Sequence, residues 1–311
     1  MRVIFLGTPD FAIPSLRALI DSPYEVIAVF TQPDRPSGRG QSLHPSPVKV
    51  LALASGIPVY TPERLRDEDN RQIVESLAAD FIVVVAYGQI LPRWFLDAAR
   101  IAPVNVHGSL LPRYRGAAPV IWTILNGDTV TGVTTMWMDE HLDTGDILLH
   151  REFQLPDTMT AGELAEELSR LGAGLVVPTL DGLRSGSILR TPQDHGRATM
   201  APRIEKAMAR IDWARAARDI HNRVRAFNPW PLAYTGFRGS RLQIIRTHPA
   251  PDTEAVQQSP GTFLQVCGDA LRVSCGNGTA LDLLRVQLAG RGTVSGREFV
   301  SGAHLQPGEV L

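Results

Sequence analysis

Asn105 and His107 stand two positions apart in the stretch Asn105 Val106 His107 Gly108 Ser109 Leu110 Leu111 Pro112. The short apolar run from Val104 to His107 reads as a buried strand that ends in a turn. Side chains two apart on a strand leave the same face, so the carboxamide and the imidazole should point together into the crevice at the strand's carboxyl end. Both can donate hydrogen bonds to the oxyanion of a tetrahedral intermediate, which is what acyl transfer needs. Asp143 lies in the polar loop Asp139 Glu140 His141 Leu142 Asp143 Thr144 Gly145, between two further strands. A carboxylate approaching His107 from there would orient the imidazole, favour its protonated form and help relay a proton through water. The set holds no side-chain nucleophile and needs none, because a free amine with an α-amino pKa of about 8 attacks directly once deprotonated. Spacing alone leaves a plainer reading open: a satisfied histidine at a strand end, a turn-forming asparagine and an ordinary loop aspartate.

The elements that must position these groups alternate strand and helix up to about residue 190, the rhythm of an open α/β sheet that is mostly parallel and Rossmann-like. Arg2 to Leu6, Val26 to Phe30, Phe81 to Ala86, Gly132 to Met138 and Ile147 to Phe153 read as further strands. Pro14 suits the first turn of the helix after the first strand, and Thr160 with Glu163 makes a capping box for a helix running toward Leu171. The rhythm fails near Leu189 to Met208, where Pro192, Gly196 and Pro202 fall. The expected organisation is a catalytic domain over 1–190, a linker over 191–208 and a C-terminal domain over 209–311. That last part opens with a helix from about Asp212 to Phe227. Short β segments follow, split by turn signals at Gly236 to Ser240, Gly268 Asp269 and Asn277 Gly278, as in a small β-barrel of OB type.

Charge divides unevenly. Residues 1–205 hold 18 Lys+Arg against 24 Asp+Glu, and residues 206–311 hold 13 against 8, for nets of −6 and +5. A basic β domain attached to an acidic catalytic one fits a polyanion partner, or solubility alone. Cys267 and Cys275 are the only cysteines; with no His cluster near them, they argue against a disulfide framework and against a metal site, and are expected as reduced, buried thiols flanking the Gly268 Asp269 turn. Gly7 Thr8 Pro9 follows a first strand as a dinucleotide site would, but no G-x-G-x-x-G is present and NAD is not expected. The N-terminus lacks the apolar run of a signal peptide and no run approaches membrane-spanning length, so the expected address is cytoplasmic, with no membrane partner.

The segment NVHGSLLPRYRGAAP, residues 105–119, resembles the signature of the folate-dependent formyltransferases. That resemblance implies that Asn105, His107 and Asp143 are the catalytic trio, and that Ser109, Leu110, Leu111 and Pro112, with Met138, Asp139 and Leu142, line the folate site. The stretch FTQPDRPSGRGQSLHPSPVKVLA, opening at Phe30, resembles the basic loop with which the methionyl-tRNA formyltransferase family grips the acceptor end, Arg39 matching its important arginine. Gln41 and Ser42 stand where that family often has lysines, which shifts the grip toward Arg35 and Arg39. ARIDWARAARDIHNRVRAFNPWPLAYT, residues 209–235, resembles the start of the family's C-terminal domain. Read as a helix, it sets Trp213, Ala217, Ile220, Val224 and Phe227 in one apolar stripe, and Arg215, Arg218, Asn222 and Arg225 on another face. Arg215, Arg218 and Arg225, with Lys206, are the candidate tRNA contacts there. Phe299, Gly302, Leu305, Gly308 and Leu311 resemble the closing segment, so the likeness spans nearly the whole chain. It implies 10-formyltetrahydrofolate as co-substrate, initiator methionyl-tRNA as acceptor, no metal and no obligate protein partner. The rivals are an enzyme of the same scaffold acting on an amino sugar nucleotide or hydrolysing the folate, and a catalytically dead RNA-binding protein.

Overall fold

The computed structural model describes residues 1–37, 42–251 and 256–311. They form two compact units. Residues 1–119, 130–154 and 165–202 make the first, and residues 120–129, 155–164 and 203–311 the second. The single boundary expected near residue 190 is thus replaced by several crossings of the chain.

In the first unit the strands are β1 Arg2–Gly7, β2 Glu25–Phe30, β3 Arg35–Ser37, β4 Ser42–His44, β5 Val59–Tyr60, β6 Phe81–Val85, β7 Ala102–His107, β8 Val130–Trp137 and β9 Ile147–Gln154. Seven of them form one sheet in the order β5-β2-β1-β6-β7-β8-β9. The five from β5 to β7 are parallel, whereas β8 is antiparallel to β7 and β9 to β8. Nine loop residues, 138–146, join β8 to β9, too few for a crossover, so those two strands must run in opposite directions. β3 and β4 pair as a separate hairpin.

The helices α1 Ile13–Ile20, α2 Pro47–Ala54, α3 Glu68–Leu77, α4 Arg93–Asp97, α5 Pro119–Leu125 and α6 Ala161–Ser185 connect these strands. Pro14 sits in the first turn of α1, where its missing N–H costs nothing. The Thr160 amide bonds the Glu163 carboxylate at 2.8 Å and the Glu163 amide bonds Thr160 Oγ1 at 3.3 Å, the expected capping box. α6 outruns the expected end by far, continuing through Pro178 to Ser185.

One face of the sheet buries Ile4, Leu6, Phe30, Ile82 and Val84 with Phe95 and Leu96 of α4. Full burial of side chains of this size contributes roughly 1.5–3 kcal/mol each. On the other face α6 comes close, since a Cβ on Gly172 would lie 2.8 Å from Val106.

In the second unit, α7 Ala217–Ala226 precedes β10 Tyr234–Phe237, β11 Ser240–Pro249, β12 Phe263–Cys267, β13 Ala270–Ser274, β14 Ala280–Leu288 and β15 Thr293–Ser295, and α8 Gly296–Ala303 follows. The strands form one antiparallel sheet in the order β10-β11-β14-β13-β12, with β15 on β14. The expected turns are there: Arg238 and Gly239 both have positive φ between Phe237 and Ser240, as do Asn277 and Gly278 between β13 and β14. α7 starts at Ala217, not near Asp212, yet its stripe holds: Trp213, Ala217, Ile220 and Val224 enter the core with Leu242, Leu271 and Leu283. The cysteines depart from expectation. Cys267 is half-buried beside the turn, whereas Cys275 lies beyond the far end of β13, where burial pushes its thiol up to about 12.

Candidate active site

Asn105 and His107 both lie on β7, where one-face geometry follows from the pleat. Asn105 pairs in register with Val84 on one side and Met136 on the other, so it shares the face that buries Leu6 and Phe30. The two side chains are 8% and 6% exposed, a nearly dry setting in which a polar group counts for more than in water. Among the described residues nothing hydrogen-bonds the Asn105 carboxamide.

Two loops close over this end of β7. In the first, after a cis Leu111-Pro112 bond, Tyr114 turns with a φ of 62° and offers its carbonyl to His107 Nε2 at 2.9 Å. A carbonyl only accepts, so Nε2 carries the proton and Nδ1 is the ring nitrogen left to face the site. In the second loop Asp143 also has positive φ, 52°, and its Oδ2 stands 3.7 Å from Nδ1. That separation is too long for a direct hydrogen bond, which leaves the ring and the carboxylate flanking one spot. Oδ2 is fixed from the other side by the Gly116 amide at 2.8 Å.

The second loop is held firmly. Asp139 accepts from Thr144 Oγ1 at 2.8 Å and from the His141 amide at 3.0 Å. Gly145 passes beneath β8 so closely that a Cβ would sit 1.8 Å from the Trp137 carbonyl oxygen. Gln193, buried, also reaches this loop, and buried Arg115 bonds Gln193 from behind. Sequence reading missed them: Gln193 stands in the stretch taken for a linker, which instead runs along the first unit, the Thr199 carbonyl accepting from the Arg115 amide and the Ala201 amide donating to the Arg115 carbonyl.

Of the expected folate residues, Leu142 is 56% exposed on the loop, while Leu110, Pro112, Met138 and Asp139 are half-buried and Leu111 is buried. Ser109 is a correction. It has no exposed surface and its hydroxyl donates to the Arg113 carbonyl at 2.6 Å, so its side chain folds the loop and lines nothing.

The candidate tRNA residues scatter. Arg35 is exposed on β3, 3.4 Å from Gln32 Oε1, and Arg39 lies outside the described residues. In the second unit Lys206 and Arg215 are exposed, and Arg218 is exposed but paired with Asp157. Arg225 is a second correction. It is 4% exposed, its guanidinium bonding Asn222 Oδ1 at 3.1 and 3.0 Å and pointing to the carbonyls of Pro156 and Met159. A charged helix face normally looks to solvent, but this one is covered by a segment some 65 residues upstream. The second unit also contains a cleft of about 350 Å³, lined by Trp122, Leu125, Asn126, Met208, Arg215, Asp219 and Arg223. Among the described residues no three His, Cys, Asp or Glu side chains converge as a metal site requires, and no helix is long and apolar enough to cross a membrane.

Residues 1–180 match the model of the formyl transferase family, and residues 203–304 that of the formyl transferase C-terminal domain. Over its full length the chain is 44% identical to the methionyl-tRNA formyltransferase of Acetivibrio thermocellus, covering 99% of it, and 48% identical to that of Solibacter usitatus, covering 98%. Among solved structures, a sugar 3N-formyl transferase crystallised with dTDP and 5-N-formyl-THF superposes with a TM-score of 0.68 at 20% identity, over 94% of this chain and 99% of that one. The methionyl-tRNA formyltransferase from Clostridium thermocellum does so with a TM-score of 0.55 at 17% identity, over 82% and 95%.

Proposed function

The chain belongs to the formyl transferase family, and we propose that it moves the formyl group of 10-formyltetrahydrofolate onto the α-amino group of methionine on initiator methionyl-tRNA, in the cytoplasm. The observation that carries the chemistry is a carboxamide with no hydrogen-bond partner among the described residues, on the buried strand face it shares with His107, whose Nδ1 stands 3.7 Å from the Asp143 carboxylate. The full-length likeness to methionyl-tRNA formyltransferases supports the acceptor.

The folate supplies an activated one-carbon acyl group. Leu110, Leu111 and Pro112 on one side and Met138, Asp139 and Leu142 on the other are the residues that would hold it, a largely apolar set suited to a flat ring. The amine nitrogen attacks the formyl carbon, the bond from that carbon to the folate nitrogen breaks, and the proton lost by the amine is returned to the leaving nitrogen. Asn105 donates to the oxyanion that develops on the way, and His107, its Nε2 proton engaged by the Tyr114 carbonyl, donates to it from Nδ1 as the imidazolium. Asp143 orients the ring and takes the amine proton, with water as relay. Arg35, Arg39, Lys206, Arg215 and Arg218 serve the tRNA backbone in this reading, where Coulomb attraction and the planar guanidinium fork suit phosphate.

The test offers formyl-folate with either charged initiator tRNA or an amino sugar nucleotide. Formyl-methionyl-tRNA should accumulate and the sugar should remain untouched. Consumption of the sugar, or of neither acceptor, refutes the assignment.

A further inference from the structure

We propose that Gln193 is a positioning residue that fixes the backbone of Asp143, and that Arg115 fixes Gln193; the proposal rests on Asp143 acting in the reaction as described above. Asp143 occupies the left-handed region, with φ of 52°, a conformation a residue with a Cβ holds only when its surroundings impose it. Gln193 supplies the imposition. Its Nε2 donates to the Asp143 carbonyl at 2.9 Å and to the Gly145 carbonyl at 2.7 Å, clamping the loop on both sides of Thr144.

The orientation of this carboxamide is not arbitrary. Oε1 accepts from Arg115 Nε at 3.1 Å and Nη2 at 2.6 Å, and since a guanidinium can only donate, the amide nitrogen must face the two carbonyls. Arg115 is itself 6% exposed with no carboxylate in reach among the described residues; its other side-chain partner is His195 Nδ1 at 3.1 Å. A buried guanidinium spent on turning a glutamine is an expensive arrangement for a loop that needs only to be closed. The next residue along the chain, Gly116, donates its amide to Asp143 Oδ2, so backbone and carboxylate of Asp143 are held from one connected frame. Gln193 touches none of the three proposed catalytic side chains beyond that backbone carbonyl.

Two variants separate the donor from the acceptor half of the clamp. Gln193→Glu keeps an acceptor for Arg115 but loses the donor to the loop, and Gln193→Met keeps the volume and loses both. Each is made alone and with Asp143→Asn, and each is checked for its thermal midpoint. Displacing a reacting group by about 1 Å costs on the order of 100-fold, so both single variants should lose about 10- to 100-fold in kcat, with the KM for charged tRNA within about 2-fold. On the Asp143→Asn background the same substitutions should cost less than about 2-fold more, because the group they position is already disabled. Wild-type kcat in a folded Gln193→Glu, or losses that multiply on the Asp143→Asn background, overturn the proposal while leaving the trio intact. Near-normal kcat for Asp143→Asn alone overturns the trio instead. Should Gln193→Met not fold, Gln193→Glu, with its Arg115 contact preserved, decides.

Discussion

Asn105→Ala should destroy turnover and leave the fold untouched. The carboxamide is 8% exposed and bonds no described residue, so truncating it breaks no hydrogen bond and orphans no buried partner. Stability should therefore move by less than about 1 kcal/mol, at the small end of the range for point substitutions. The transition state loses a preorganised donor, and removing one of these typically costs about 100- to 1000-fold in kcat, roughly 2.7–4 kcal/mol. The assay is single-turnover formylation of charged initiator tRNA at saturating formyl-folate, paired with a direct measurement of tRNA affinity and a thermal melt. The rate constant should collapse while affinity and midpoint stay put. A loss under about 5-fold removes Asn105 from the chemistry; a large loss accompanied by a fall of several degrees in the midpoint shows that the residue acts through the fold.

Arg225→Ala should destabilise the protein by about 2–4 kcal/mol, since it strips the buried Asn222 Oδ1 of both guanidinium donors and removes the donor aimed at the Met159 carbonyl, whereas exposed Arg218→Ala should cost under about 1 kcal/mol; equal midpoints for the two by chemical denaturation would refute this. His221 is buried, and desolvation, the largest influence on it, depresses its basicity below the ordinary 6.5 despite the nearby Asp157. The unfolded chain thus binds the proton more readily, so stability is complete above about pH 6.5 and declines as pH falls through that value toward the folded-state value. His221→Gln should flatten that part of the stability–pH curve, and an unchanged slope would rule His221 out as its source.

The central strands were legible almost to the residue because a continuous apolar run bounded by turn residues has few other uses. Phe81 to Val85, expected through Ala86, is of this kind, while the strand expected from Val104 to His107 begins two residues earlier, at Ala102. That Asn105 and His107 share a face was legible for a related reason: two positions on one strand point the same way whatever surrounds them. What escaped was contributed from far along the chain. Arg225 reads locally as a solvent-facing cation, and only the 155–164 segment folding over α7 buries it. Residues 191–208 read as a linker because they have no periodicity, yet Thr199 and Ala201 within them are tied by backbone hydrogen bonds to residues 112–118. An irregular strap and an irregular tether look the same until their partners are known. Gln193 carries no local signal at all.

The folded distribution of charge differs from the distribution along the sequence. Asp128, Asp157 and Glu163 belong to the acidic half in sequence but fold into the second unit, while Arg203 and Glu205 enter it together and cancel. The nets of −6 and +5 therefore become −3 for the first unit and +2 for the second. Much of the remaining positive charge is also committed: Arg246 pairs with Glu163, Arg218 with Asp157, Arg238 with Glu309 and Arg272 with Asp282. A surplus of two cannot steer a polyanion by bulk field alone when the Debye length in physiological salt is only about 8 Å. If this unit holds a tRNA as proposed, it does so through a few cations in particular places; Arg215 is exposed and lines the Trp122 cleft, with Asp212 3.8 Å away. The proposed transfer chemistry does not itself discriminate, since the proposed trio would serve any amine that reached it. The proposed mechanism therefore predicts that substitutions on such local surfaces change which acceptor is formylated, whereas Asn105→Ala lowers the rate with every acceptor alike.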